Sequence, residues 1–484
     1  MKTFKPHLVF FLTVFVILLI PSCAVNPVTG KKQLMFMSEE QEIALGAQYD
    51  PSVVSTFGIY DHPRMLNLIT EKGTEMGKIS HRPHLEYHFK ILDTPVINAF
   101  AVPGGYIYLT RGILAQFNNE AELMGVLGHE MGHITARHTA QQQTNQQIGQ
   151  VLLAGGMIAS KEIYQLAEIA MQGMQLLFLS FSRDNEREAD RLGVEYSTKI
   201  GYDASKMADF FEVLNKMQMA SSHAGVPTFL STHPDPGDRY NSVNRSSDEW
   251  KLKVGKDSYI VNTNGYLEMI DGMVYGEDPR QGFVENHVFY HPDLKFKFPF
   301  PEDWTLVNSP LQVQITPPDQ NAVMVFALSK EKTVEEAAQK AHSDLNLSVI
   351  KSKKTKVNGY NTLAAVSQQT SENGQVIKLL SYFIEKDGLI YLFHGVSSGA
   401  DFNNYLPAFE STMSNFARLT DRTKLNVKPD RIKIIKINST TVSLENAFNY
   451  YKVPQEKYKE MALLNNMELN HTLRRGDLIK VLGK

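Results

Sequence analysis

His129-Glu130-Met131-Gly132-His133 reads HExxH. Histidines four apart share one face of a helix and can hold one metal ion. The glutamate beside the first histidine is rotated off that face, where its carboxylate can reach an attacking water. Two imidazoles, an open coordination position and a carboxylate base are what a zinc peptidase requires. The flanks predict that the stretch is a buried helix. Asn119-Glu120-Ala121-Glu122 opens it, with Asn119 as N-cap and Glu122 at the third helical position, close to a capping box. Leu123, Met124, Val126, Leu127, Met131 and Ile134 supply apolar surface. Gly125, Gly128 and Gly132 each cost about 1 kcal/mol relative to Ala. A helix that carries three of them is expected to pack very closely against a second helix or a substrate cleft.

Downstream, Ser182-Arg183-Asp184-Asn185-Glu186-Arg187-Glu188-Ala189-Asp190 places Glu186 and Asp190 on one helical face. A zinc site with two histidines needs a third protein ligand, and Glu186 is the candidate. Asp190 can then accept the free ring N–H of a ligand histidine and fix its tautomer. The longer pattern HExxHxxGxxH is excluded, because the chain has Ala136 and Thr139 at the required positions. His138 comes one residue early, about 100° off the ligand face of a continuous helix. It is expected either behind a ligand or on the surface. His233 lies in Ser231-Thr232-His233-Pro234-Asp235-Pro236-Gly237-Asp238-Arg239, a loop that re-enters a helix near Arg239. It is a candidate to stabilise the oxyanion or to occupy the fourth metal position. Arg239 is a second oxyanion candidate.

Upstream, Ser38 is expected to cap a helix with an acidic first turn, and a second helix is expected from about His62 to Ile79. Tyr87 to Leu92 reads as a strand. Ala99 to Thr110 reads as a strand, a Pro-Gly-Gly turn and a strand. Ala101, Gly104 and Gly105 there are candidate edge positions for an extended peptide held by backbone pairing; the alternative is a core hairpin. Gln141 to Gln147 is expected to be a solvated helix end. The Met-rich stretch 161–181 is expected to be core, or to line a pocket for apolar side chains.

The 484 residues suffice for several domains. A net charge of −3 with no basic excess argues against nucleic acid. Lys2 and Lys5 precede an apolar run from Leu8 to Ile20, too short to span a bilayer comfortably. Residues 1–22 are therefore expected to be a signal peptide. Cys23, the chain's one cysteine, then has the position of the acylated residue of a bacterial lipoprotein. Ala24 after it favours the outer membrane.

Together, Asn98-Ala99-Phe100-Ala101-Val102-Pro103-Gly104-Gly105, the HExxH at 129–133, the ExxxD at 186–190 and Ser-Thr-His-Pro at 231–234 resemble the HtpX and CaaX-prenyl-protease family of zinc metallopeptidases. The resemblance covers about residues 25–250. It is best to the periplasmic branch that includes the barrel-assembly-enhancing protease. It implies one Zn2+ per chain on His129, His133 and Glu186, Glu130 as base, and protein or peptide substrates, misfolded outer-membrane proteins among them. It also implies that His233 can coordinate zinc and regulate access.

The expected fold is α+β: a mainly helical HExxH zincin peptidase domain with a small β-sheet at 23–250, a connector at 251–285, a small α+β domain with a PsbP-like pattern at 286–420, and a LysM-like module at 428–484. In the third region a helix at Val334 to Leu345, strands at 363–369, 375–385 and 389–397, and a helix at 401–416 are expected. The last is basic, with 13 Lys/Arg against 7 Asp/Glu over 421–484, and its likeness to LysM implies peptidoglycan contact. The predicted function is a lipid-anchored, periplasm-facing zinc endopeptidase of the bacterial cell envelope, in quality control or processing. The rival is a non-catalytic or chaperone-like assembly factor with a structural or self-inhibited zinc site.

Overall fold

The computed structural model describes residues 23–144, 180–220, 228–234, 237–370 and 374–484. The signal-like segment 1–22, the Met-rich stretch 161–179, Asn145 to Gln147 and Asp235-Pro236 lie outside the described residues. Among the described residues, no helix is long and apolar enough to cross a membrane.

Local chemistry sets the helix starts. Ser38 accepts from the Gln41 N–H while the Gln41 side chain accepts from the Ser38 N–H, a full capping box for α1, Glu39–Phe57. Helix α2, Pro63–Ile79, begins on Pro63 with His62 as its cap. Strands β1 (His88–Leu92), β2 (Ala99–Val102) and β3 (Tyr106–Thr110) form a mixed sheet in the order β1-β3-β2. In it β1 runs parallel to β3 and β2 antiparallel to it. A short helix α3, Arg111–Gln116, leads into α4, Glu120–Thr135. The Asn119 side chain accepts from Glu122 N–H at 2.9 Å, and the Glu122 carboxylate accepts from Asn118 N–H at 2.7 Å. Every residue of α4 is buried, so its apolar surface runs all round rather than along one stripe.

The sheet and a set of helices surround α4. α5 (Arg183–Lys199), α6 (Lys206–Ala220), the single turn α7 (Thr228–Thr232) and α8 (Arg239–Val254) complete the shell. The α4–α5 crossing is as close as the glycines imply. A Cβ on Gly128 would stand 2.9 Å from the Gly193 carbonyl oxygen, and one on Gly132 would stand 3.1 Å from the Ala189 backbone. Backbone therefore packs on backbone, which brings the faces of α4 and α5 within side-chain reach of each other.

Two expectations about organisation need correction. The stretch 251–285 is not a free connector. Helix α8 continues through residue 250, Ile260 pairs with Tyr202, and the backbone of Val261 and Asn262 accepts from Ala121 and Glu120 N–H. Helix α9, Thr263–Ile270, then buries Tyr266, Leu267 and Ile270 in the same core as α4. Nor are Gln141 to Thr144 fully solvated. They belong to a new helical turn that begins at His138, and Thr144 is buried.

Beyond it, a seven-stranded antiparallel sheet runs in the spatial order 305–308, 312–316, 322–329, 389–398, 376–386, 360–370, 348–357. Phe289, Phe298, Phe326, Phe393 and Phe416 form the core on one face, with helix Phe402–Ser414. Helix Val334–Asp344 covers part of the other. The C-terminal stretch is strand Asp430–Lys436, helix Leu444–Tyr450, helix Tyr458–Leu464 and strand Leu478–Gly483, with the two strands paired antiparallel. Its first strand also pairs with Val274–Tyr275, and Ile432 enters the α4 core.

Candidate metal centre

His129 and His133 leave α4 one turn apart, and their Nε2 atoms are 3.0 Å from each other. Glu186, in the first turn of α5, places Oε2 3.5 Å from His129 Nε2 and Oε1 3.5 Å from His133 Nε2. His233, immediately after α7, brings Nδ1 to 3.2 Å from His129 Nε2 and 3.1 Å from Glu186 Oε1. All four side chains are buried, and one ligand atom from each lies within 4.8 Å of the others. Donors at about 2.0–2.1 Å around a tetrahedral zinc ion stand about 3.4 Å apart. The observed separations surround that value, so the donor set fits zinc in both chemistry and size.

Electrostatics points the same way. Glu130, Glu186 and Asp190 are buried, and Arg239 is buried among them. With neutral histidines the cluster carries three negative charges and one positive, a deficit that a divalent cation removes. His129 responds to that deficit. Burial lowers its pKa, but the Asp190 and Glu186 carboxylates beside it outweigh burial and raise it to about 9. His129 Nδ1 lies 2.9 Å from Asp190 Oδ1, although the N–H is not well aligned on that oxygen. Both oxygens of Glu130 are buried without a hydrogen-bond partner among the described residues, and burial pushes its pKa upward. A carboxylate left in this state beside a metal-ligand set is suited to taking a proton from a small polar guest.

Arg239 does not face open space, as an oxyanion group would. Its guanidinium donates to Asp190 Oδ1 at 2.7 and 3.1 Å, to Glu186 Oε2 at 3.1 Å and to the His233 carbonyl at 3.2 Å. It stacks on Phe211, 3.7 Å from the ring centroid. Arg239 thus holds the carboxylates from behind.

Strand β2 is an outer strand of its sheet, and the α7 turn lies along it. Phe229 N–H donates to the Ile97 carbonyl at 3.0 Å, and His233 Nε2 stands 3.4 Å from the Ala99 carbonyl. Ala101 is on this strand. Gly104 and Gly105 are not on its open edge: a Cβ on either would strike α1 at Ile43 (2.7 Å) or the Glu86 carbonyl (2.1 Å). Both have positive φ, 80° and 99°, so the turn needs glycine for its backbone and for its close approach to α1 and to Glu86.

The sequence placed Phe181 only within an apolar stretch expected to be core or pocket lining, and did not single out Glu188. The Phe181 ring stacks on His133 with centroids 4.0 Å apart. Glu188 meets His138, which in turn meets His133. Helical periodicity gives no signal for either, because Glu188 is off the Glu186/Asp190 face.

Comparison with known proteins bears on this region. Residues 66–247 match the family model for Peptidase family M48. The Beta-barrel assembly-enhancing protease of Yersinia pestis is 28% identical over 241 residues, which cover 48% of this chain and 49% of that protein. The mitochondrial metalloendopeptidase OMA1 of Bos taurus is 24% identical over 256 residues, 48% of this chain and 47% of that protein. The chain spans about half the length of these relatives. The solution structure of cyanobacterial PsbP from Synechocystis aligns with 27% of this chain at 11% identity and a TM-score of 0.24, which assigns no fold.

Proposed function

We infer that the M48 peptidase domain at residues 66–247 makes this chain a zinc-dependent endopeptidase of the bacterial cell envelope. The observation that carries the reading is the buried His129, His133, Glu186 and His233 donor set with the Glu130 carboxylate beside it, which accepts no hydrogen bond among the described residues and meets only His233 Nε2, at 3.5 Å. His129, His133 and Glu186 would hold the zinc ion. When bound, zinc supplies a Lewis acid that acidifies water and polarises the scissile carbonyl. Glu130 takes the proton of the attacking water and returns it to the leaving amine. Asp190 fixes the Nδ1–H tautomer of His129 so that Nε2 faces the ion. Arg239 keeps Glu186 and Asp190 aimed by donating to both carboxylates. The outer strand at Ala101 is where an extended substrate would pair.

His233 supports a second reading. Its Nδ1 stands among the other three donors, at ligand distance from them rather than apart. In that arrangement the loop closes the fourth position and silences the site, or leaves a structural zinc in an assembly factor.

One assay separates these. Zinc content and casein hydrolysis are measured for the full chain, Glu130→Gln and His233→Ala. The peptidase reading expects Glu130→Gln to keep zinc and lose at least about a hundredfold in kcat. Unchanged activity removes Glu130 from the chemistry. The silencing reading expects His233→Ala to be more active than the parent. If all three hold zinc and none cleaves unfolded membrane proteins either, the assembly-factor reading stands instead.

The envelope assignment draws on the signal-like residues 1–22, on Cys23 as acylation site and on the relatives' names. An outer-membrane anchor, misfolded outer-membrane proteins as substrates and glycan contact by 428–484 complete it. Mass spectrometry of the mature N-terminal peptide decides the anchor: a Cys23 thiol without lipid rules it out.

A further inference from the structure

The two ligand histidines are not supported in the same way. His129 turns its rear nitrogen toward the Asp190 carboxylate at 2.9 Å. Among the described residues, His133 has no carboxylate there. Its Nδ1 lies 3.0 Å from Nδ1 of His138, and His138 Nε2 lies 3.3 Å from Glu188 Oε2. His138 is 1% exposed, whereas the Glu188 side chain reaches the surface, with Arg191 3.7 Å away.

If Nε2 of His133 faces the metal, its hydrogen must sit on Nδ1. That hydrogen needs an acceptor, and two facing Nδ1 atoms cannot both be protonated. One arrangement satisfies every atom. His133 Nδ1–H donates to the bare Nδ1 of His138, and His138 Nε2–H donates to the Glu188 carboxylate. We propose that His138 and Glu188 are positioning residues for the zinc site, a relay that fixes the tautomer and ring direction of His133 as Asp190 does directly for His129. The relay rests on the zinc reading above and extends it to two residues outside the ligand set.

The backbone is bent to make this possible. On an unbroken helix His138 would point about 100° away from the ligand face. The helix instead breaks after Thr135, and Arg137 adopts φ of 60°, a region non-glycine residues seldom enter. Arg137 is held there by its guanidinium, which donates to Glu42 at 3.1 Å and to the Met37 carbonyl at 2.8 Å. The chain re-enters a helical turn at His138, now behind His133. Phe181 covers the His133 ring from the side, so the ring is held by a hydrogen bond at one edge and stacking on a face. Strain of this kind persists only where surrounding contacts over-determine it.

The test titrates zinc into the metal-stripped full chain against a chromophoric chelator. The parent is compared with His138→Leu, His138→Gln and Glu188→Gln, and thermal unfolding of each stripped protein is followed in parallel. His138→Leu removes the acceptor and is expected to weaken zinc binding about 10- to 100-fold. His138→Gln offers an amide oxygen to His133 Nδ1–H and should recover most of that loss. Glu188→Gln, at a partly exposed position, should fold normally and fall between the parent and His138→Leu. Equal zinc affinity in the parent and both His138 variants overturns the relay. So does a loss in His138→Gln as large as in His138→Leu, because packing rather than the acceptor would then be responsible. A parent that binds no zinc overturns the zinc reading itself, a result distinct from the other two.

Discussion

A single buried titratable group can set the acid limit of this protein. His394 is 2% exposed, in the interior of the seven-stranded sheet, 2.8 Å from the Ser381 hydroxyl. Burial holds its pKa at about 4, and His342 nearby adds a smaller push in the same direction. An unfolded histidine titrates near 6.5. Between those values the unfolded chain binds a proton that the folded chain refuses. The folded state is therefore unpenalised above about pH 6.5 and loses up to roughly 3 kcal/mol as the pH falls to about 4. His394→Gln keeps a partner for Ser381 and removes the titration. Its urea-unfolding free energy should decline less than the parent's between pH 7 and pH 4.5. Parallel declines would show that His394 does not govern this step. The same scale explains why Arg239 reads differently in sequence and in space: it is one polar side chain, and only its neighbours tell that it faces carboxylates rather than a guest.

At the scale of elements, the α4–α5 crossing decides whether a site exists at all. His129 and His133 belong to one helix, Glu186 and Asp190 to the other, and the two meet through Gly128 and Gly193. Gly128→Ala puts a methyl 2.9 Å from a backbone oxygen and 3.1 Å from a Cα, neither of which can rotate away. Alanine favours the helix itself, yet here it must push the helices apart, at a cost of about 1–3 kcal/mol. Because the donors ride on those helices, zinc affinity should fall together with the thermal midpoint. A Gly128→Ala protein that is as stable as the parent and binds zinc equally well would mean the crossing has slack.

Across the whole molecule, the C-terminal stretch is wired into the core around α4. Lys480 is fully buried, and its ammonium donates to the carbonyls of Ala115, Gln116 and Phe117 at the end of α3 and of Leu464 in its own module, all at 2.8–3.1 Å. Burial lowers its pKa to about 7, and the buried Glu122 carboxylate in the first turn of α4 opposes that shift. Lys480→Met leaves those carbonyls without a donor at a cost of about 3 kcal/mol. The thermal midpoint of the full chain should fall, and hydrogen exchange in α3 and at the start of α4 should quicken. A module that only reads glycans would give neither effect: an unchanged midpoint with unchanged exchange would return residues 428–484 to the status of an appendage.

The sequence by itself determined what depends on near neighbours along the chain. The caps at Ser38 and Asn119, the shared face of His129 and His133, the shared face of Glu186 and Asp190, and the helices and three of the four long strands of 334–416 follow from periodicity and local hydrogen bonding; the strand at 348–357 was not legible. The three glycines of α4 even announced a close crossing, although not the partner. Only the tertiary structure decided which faces meet. It brought Glu186 and His233 to the two histidines, turned Arg239 toward carboxylates, set Gly104 under α1 and Gly105 against the Glu86 carbonyl, and drew Tyr266, Leu267, Ile270, Met273 and Lys480 into the core around α4. His138 marks the boundary between the two most clearly. Its helical phase left it either behind a ligand or on the surface, and a positive φ at Arg137, held by contacts to residues about a hundred positions earlier, put it behind the His133 ring. A local pattern encodes the face a residue occupies, whereas its partner is fixed by contacts from distant parts of the chain that no local period records.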